Sequence, residues 1–448
     1  GFAPGATDSW TEYWMPIKGT RGFVKANDLG ALNVRREGGR LVVAFSPVQA
    51  TGGQVEVFDG PTRVAAWDVR FTPLATWTER LDRDIPDARL RVRVLGTRFE
   101  YVADPAADVI SRPTATPDAF DGTTVFGVHT QAREAMRQRN YADAERLIAR
   151  TLDQDPHYAP ALVDAALLRL RAGADVEAFA RAGAALAIDT YDPAANYYYG
   201  LAAAALGRTA DARDGFEMAA QAAEWRGAAW FELGRLALRE DRFDRARHYA
   251  HRAIEHHGQD VQAVQLAAVV ARVTQDATAA AAHRKRLLAL DPLNHVARVE
   301  RALGSGAAAD RDAVARGIRN EMPHETFLEM AAWYASLRRD RDAAWLLALS
   351  PPTPEVLYWR AWLDRDAEPA SARRLLAEAH AASPALTFPF RSESAPVFRW
   401  AITQGDAWQP HYYLALLEQG RGNTAPARRM LDALGQRPAF APFYALRA

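Results

Sequence analysis

Near residue 120 the spacing of apolar positions changes period. Before it, short runs alternate apolar and polar residues, as in Arg40-Leu41-Val42-Val43-Ala44-Phe45, Gln54-Val55-Glu56-Val57-Phe58 and Arg63 to Phe71. A period of two places alternate side chains on opposite faces, so these runs predict strands. Gly38-Gly39, Gly52-Gly53, Asp59-Gly60-Pro61 and Asp84-Ile85-Pro86-Asp87 supply turn chemistry between them, and Gly96-Thr97 predicts a two-residue hairpin turn between runs 89–95 and 98–102. About six to eight strands in this length predict a β-sandwich or part of one over residues 1–103. Pro105, Pro113, Pro117 and Gly122 mark residues 104–124 as a linker.

From residue 125 the pattern is helical and repeats every 34 residues. Ala132, Ala166, Gly200, Gly234 and Ala268 hold one small-residue position, and Ala144, Ala178, Ala212, Ala246 and Ala280 a second. Small residues there predict two antiparallel helices in close approach, since a bulky side chain would wedge them apart. Tyr141 and Phe243 supply an aromatic, Ile148 and Phe216 a large apolar residue, Pro156 and Pro292 a helix stop, and Gly173 and Gly207 the turn within a hairpin. Residues 125–294 thus read as five hairpins. Beyond them, 295–448 reads as three looser hairpins and a cap, with Ala343, Ala372 and Ala427 as second-helix alanines.

This pattern resembles the tetratricopeptide repeat. The whole chain, including Thr11-Glu12-Tyr13-Trp14-Met15-Pro16-Ile17-Lys18-Gly19, is also similar to the later part of large bacterial proteins that join a galactose-mutarotase-like sandwich of uncharacterised function to such repeats. In that family the sandwich continues upstream, and this chain lacks that half. The resemblance implies an α+β multidomain fold, with an N-terminal sandwich portion followed by an α-α superhelix, and a link to carbohydrate biology.

Composition narrows the function. Acidic and basic residues balance at 55 each, so no global field favours nucleic acid or an anionic membrane. Only Lys18, Lys25 and Lys285 are lysines, an arginine bias that points to a GC-rich bacterial genome rather than to phosphate recognition. The absence of cysteine removes thiolate chemistry and Cys-ligated metals. No apolar run reaches the roughly 18 to 20 residues of a membrane span. The first residues lack a signal peptide, yet the chain starts without Met and is expected to be a processed or truncated piece. A cytoplasmic location is slightly favoured, with periplasmic and extracellular placements open.

No phosphate, dinucleotide, zinc-protease or nucleophile-elbow motif is present, so no cofactor and no metal are expected. His248 and His251 share a helical face, but solvated or capping roles fit them better than ligation. In the strand-rich part Glu12 is the candidate catalytic carboxylate and Trp14 the candidate sugar platform, with Asp28, Asp68 or Glu79 as a second acid; a solvated Glu12 and a packed Trp14 are the alternative. In the helical part Tyr197 and Tyr198 are candidate ligand-binding residues on first helices, while Trp230 occupies a packing position. The stretch Phe388-Pro389-Phe390-Arg391, with Trp400, Trp408, Tyr412 and Tyr413, is a candidate interface with the sandwich or a second subunit.

Three functions follow. A scaffold that binds a protein or peptide partner leads. A carbohydrate-binding or glycoside hydrolase-like protein with a glycan ligand is the alternative, and a structural role that sets a homo-oligomer is the third. An enzyme is the less favoured expectation.

Overall fold

The computed structural model describes residues 11–104, 120–436 and 438–447. The chain divides into two compact units, one of Asp8–Ala119 and one containing Phe120–Ala448. Most of the expected linker, and residues 1–10, lie outside the described residues.

The first unit is a sandwich of two antiparallel four-stranded sheets. One sheet has the order β1 (Lys25–Asn27), β2 (Gly30–Glu37), β3 (Arg40–Pro47), β6 (Trp77–Leu81); the other has β5 (Thr62–Phe71), β4 (Thr51–Asp59), β7 (Leu90–Val94), β8 (Phe99–Val102). Their facing side chains alternate as the period of two requires. Leu32, Leu41, Val43 and Phe45 meet Val55, Val57, Val92, Val94 and Phe99, and the Phe45 ring lies 4.9 Å from Phe71 and 5.4 Å from Phe99.

Two turn expectations are corrected. Gly52 and Gly53 lie within β4, paired with Arg70 and Val69. Gly53 makes a close approach rather than a turn, since a Cβ there would sit 2.5 Å from the end of the Leu95 side chain, which would have to shift. The β7–β8 connection spans Leu95–Arg98 rather than two residues, with Leu95 at φ 58° and Gly96 at φ 69°. Residues 18–21 lie on the outer face of the first sheet, where the Thr20 carbonyl accepts from Asn33 at 2.8 Å and Arg35 at 3.3 Å.

The second unit is a tetratricopeptide-like α-solenoid. Its first ten helices pair as α1 (Val125–Arg137) with α2 (Tyr141–Gln154), α3 (Ala159–Arg171) with α4 (Asp175–Leu186), α5 (Pro193–Ala205) with α6 (Thr209–Ala219), α7 (Ala223–Arg239) with α8 (Phe243–His256), and α9 (Val261–Val273) with α10 (Ala277–Leu290). The small-residue positions mark the helix crossings, and all ten are buried. Crossings are tightest where glycine stands: a Cβ on Gly200 would meet the Phe216 ring at 2.7 Å, and one on Gly215 would meet the Asn196 carbonyl at 2.7 Å.

Each of these hairpins turns through one left-handed residue. Arg139, Gly173, Gly207, Asp241 and Gln275, 34 residues apart, have φ between 54° and 72°. In each turn two amides close back on the first helix, as when Gln275 N–H donates to the Arg272 carbonyl and Asp276 N–H to that of Ala271. These are Schellman caps, which satisfy carbonyls the helix end would leave unpaired. Turns from distant repeats also touch: Arg339 donates to the Leu238 carbonyl at 3.0 Å and pairs with Asp241, and the Arg421 guanidinium packs on Gly173.

Beyond residue 294 the helices are α11 (His295–Ser305), α12 (Ala308–Gly317), α13 (Pro323–Ser336), α14 (Asp340–Leu347), α15 (Pro354–Asp364), α16 (Pro369–Ala381), α17 (Ser394–Ile402), α18 (Gln409–Gly420), α19 (Thr424–Ala433) and α20 (Ala441–Arg447). Ala343, Ala372 and Ala427 are buried second-helix residues. The expected three hairpins are α13–α14, α15–α16 and α18–α19; α11–α12 is a fourth among the described residues, and α12 buries only Val314. A buried ion network ties this region together. Glu300 on α11, 1% exposed, accepts from Arg272 of α9 at 2.8 Å and from the Tyr334 hydroxyl of α13 at 2.6 Å, while Arg272 also donates to Asp342 at 2.6 Å. Burial opposes the Arg272 charge, but Glu300 and Asp342 outweigh it and hold the guanidinium pKa above its usual value. Among the described residues no helix is long and apolar enough to cross a membrane.

Among the described residues, Gln275 makes no side-chain hydrogen bond or ion pair that compensates its left-handed backbone. Gln275→Gly is expected to raise unfolding stability by about 0.5 to 1 kcal/mol, read by urea denaturation, because an L-residue pays a steric cost there that glycine avoids.

Candidate functional site

First helices present one face of each hairpin, and from α7 to α13 that face lines a groove of about 680 Å³. On α7, Phe231, Glu232 and Arg235 fall at helical spacing and so share a face; on α13, Thr326, Glu329, Met330, Trp333 and Ser336 do the same over three turns. Gln262 and Gln265 of α9 and the start of α11, with Asn294 and His295, fill the floor between them. The remaining wall is the segment before α17, through Phe390, Arg391 and Glu393.

That segment is fastened at two points. Arg391 forms an ion pair with Glu325 at the start of α13, donates to the Glu325 carbonyl at 2.8 Å, and lies 4.4 Å over the Phe390 ring, leaving that ring 68% exposed. Three residues on, the Ser394 hydroxyl donates to the buried Glu355 carboxylate at 2.6 Å and accepts from the Trp359 indole at 2.9 Å. Burial pushes the Glu355 pKa up to about 7, with the Glu325 charge adding to the rise and Ser394 and Arg391 opposing it.

Groove polarity is uneven. Glu232 is held by Arg235, both oxygens at 3.0 Å, and burial together with Arg298 keeps His295 below its ordinary pKa. Two buried donor atoms of groove-lining residues, Trp333 Nε1 and Arg235 Nε, have no acceptor among the described residues. In a low-dielectric setting an unpaired donor costs about 1 to 3 kcal/mol.

The tyrosines proposed from sequence stand elsewhere. Tyr197 is 7% exposed, with its ring 5.7 Å from Phe216 and 5.2 Å from Trp225, so it is a core residue of the α5–α7 stack rather than a groove residue. Burial drives its hydroxyl pKa well up. Tyr198 is half-buried against Trp225 at 5.6 Å, its pKa pushed up to about 12 by the same desolvation. Trp230 is partly buried under the Arg252 guanidinium at 4.4 Å. Trp408, Tyr412 and Tyr413 pack with Phe440 and Phe443 inside the helical unit.

In the first unit Trp14 is 91% exposed, and its indole donates to Glu12 at 3.3 Å in a segment with no regular structure. Asp68 accepts from Gln54 at 2.8 Å, and Glu79 sits opposite Val43 in the β3–β6 pairing. His251 approaches His283 on α10 at 5.9 Å, while among the described residues no group of three or more His, Cys, Asp and Glu is placed to hold a metal.

No known family's sequence profile matches the chain, and no curated protein matches it. Similar solved structures include PilW, a widely conserved type IV pilus biogenesis factor, 19% identical over 44% of this chain and 94% of that one, with a TM-score of 0.41. They also include PilF of Pseudomonas aeruginosa (15% identical, 48% and 95%, TM-score 0.39) and a tetratricopeptide repeat protein of Parabacteroides merdae (14% identical, 65% and 98%, TM-score 0.38). At these identities and scores they carry no argument about function, which rests on the groove.

The Glu355 carboxyl ordinarily titrates near 4.5 and here near 7, so the neutral form is favoured by folding. Stability from this group is full below pH 4.5 and lost as pH rises through 7, on the order of 3 kcal/mol in all. Between pH 5 and pH 8, Glu355→Gln should therefore gain on the parent by that order in chemical denaturation.

Proposed function

We propose that the helical unit is a protein-interaction scaffold, holding an extended segment of a partner polypeptide in the groove between α7, α9, α11, α13 and residues 390–393. The observation that carries this reading is the groove itself, about 680 Å³, lined from α7 to α13 and carrying the apolar surfaces of Met330 and Trp333 and the exposed ring of Phe390. An aromatic-lined pocket is where interface energy concentrates, and an extended chain can lay alternate side chains into it. Gln262, Gln265 and Asn294 add amides able both to donate and to accept. Peptides selected from a random library on the full chain should lose at least tenfold in affinity on Trp333→Ala, and a smaller but measurable amount on Phe390→Ala, which removes the exposed ring of the opposite wall. Unchanged affinity in both variants would place binding elsewhere.

A second reading, carbohydrate binding by a galactose-mutarotase-like first unit, has one supporting observation in the exposed Trp14 with Glu12 hydrogen-bonded to its indole edge. An exposed indole face is a stacking surface for a sugar ring. On this reading an oligosaccharide screen by thermal shift should find a ligand that stabilises the parent and not the Glu12→Gln, Trp14→Ala double variant. A screen without such a ligand would remove the reading.

A further inference from the structure

The 390–393 wall of the groove is tied to a distant repeat through one guanidinium. Arg421, just past the end of α18, holds three attachments at once. Its Nη1 donates to the Glu418 carboxylate at 3.3 Å, and its Nη2 donates to the Ser392 carbonyl at 3.2 Å, between the Arg391 and Ser394 fastenings. The same group lies against the α3–α4 turn, where a Cβ on Gly173 would stand 3.1 Å from the guanidinium carbon. Glu418 anchors this hub. Its side chain is 11% exposed, and it also accepts from Arg399 at 3.1 Å and from Asn423 at 2.7 Å. Asn423 in turn reaches the Ala172 carbonyl of the α3–α4 turn at 3.5 Å.

Ala172 and Asn423 are 251 residues apart, so this contact closes the solenoid on itself. The seam is polar. Among the described residues no apolar cluster holds side chains from both of its sides: those of α3 and α4 pack with the hairpins that flank them, and those of α18 and α19 with the other C-terminal helices. Asp175, the first residue of α4, also faces the seam. Burial raises its pKa, and the charges of Arg421 and Arg399 oppose that rise, yet among the described residues it makes an ion pair with neither. Hydrogen bonds and charge of this kind exchange for water while re-exposing little apolar surface, whereas parting two neighbouring hairpins would uncover a core.

We infer that Arg421 couples closure of this seam to the position of the groove wall. With the α3–α4 turn seated, the guanidinium is confined among Gly173, Glu418 and Ser392, and the wall is held at residue 392. With the seam open, Arg421 regains water and rotamer freedom, and the Ser392 carbonyl loses its hold. The helical unit thus has a closed form with a firm wall and an open form with a loose one. This link belongs to the fold whatever the groove holds. Where the groove holds a partner segment, as proposed above, linkage makes the coupling reciprocal, and an occupant that braces the wall favours the closed form.

Cysteine is absent from the sequence, so Val176→Cys and Thr424→Cys place a spin-label pair across the seam, on exposed residues of α4 and α19. In the full chain, electron–electron distance measurement on this pair should give one narrow distribution. Asp175→Lys sets a like charge opposite Arg421 and Arg399, and should lengthen and broaden that distribution. The same substitution should speed amide exchange of residues 388–393 by about threefold or more, with α9 exchanging as in the parent. Arg421→Ala should loosen the same residues, and Glu255→Lys on α8 should change neither readout. A longer seam distance in Asp175→Lys, with residues 388–393 exchanging as in the parent, would overturn the coupling. A broad distribution in the parent, or one that Asp175→Lys leaves unmoved, would overturn the polar closure on which the coupling depends. Neither readout uses a partner, so each holds or fails independently of the scaffold reading.

Discussion

In each hairpin of the helical unit the two helices cross so closely that the crossing admits a methyl group or nothing. At Gly215 of α6 the α5 backbone comes within 2.7 to 3.2 Å of where a Cβ would stand. Dispersion is short-ranged, so such contact is gained only if small residues recur at the same register in every repeat. That requirement fixes the 34-residue period, and the period fixes where each turn must reverse the chain. The left-handed caps follow from it: the turn has no room to wander, so Arg139, Asp241 and Gln275 adopt the conformation that glycine adopts at 173 and 207. The first helices are thereby aligned on one face, and the groove exists because that face is repeated.

Buried polar groups then fasten the regions where the register loosens. After residue 294 the small-residue rule weakens, and Glu300, Arg272, Asp342 and Tyr334 join α9, α11, α13 and α14 through fully directed hydrogen bonds. Nearby, Glu355 and Ser394 fix the residues that wall the groove. Removing one member of such a network leaves its partners unpaired in a low dielectric, so these sites constrain geometry more than they add stability.

The repeat was legible because its signal is steric and periodic: ten small residues at two fixed positions need no knowledge of tertiary structure. Strands β3, β4, β5, β7 and β8 were legible from alternation, while Gly52-Gly53 misled because glycine serves close approach as well as turns. Helix α12 escaped because a helix that buries one side chain leaves no apolar stripe to read. The groove was illegible for a different reason. Phe390 and Trp333 are 57 residues apart, and nothing local in either segment says that they share a wall. Tyr197 shows the converse error, since an aromatic on a first helix faces the groove or the neighbouring hairpin according to a rotation that sequence spacing alone does not resolve.

Hydrogen exchange on the full chain, with and without a peptide selected for binding to it, addresses the central claim most directly. Bound peptide should slow exchange in α7, α13 and residues 388–393, where backbone and side chains meet the ligand, and leave the second helices unchanged. Protection confined to residues 11–104, or spread over α2, α4, α6 and α8, would contradict the account.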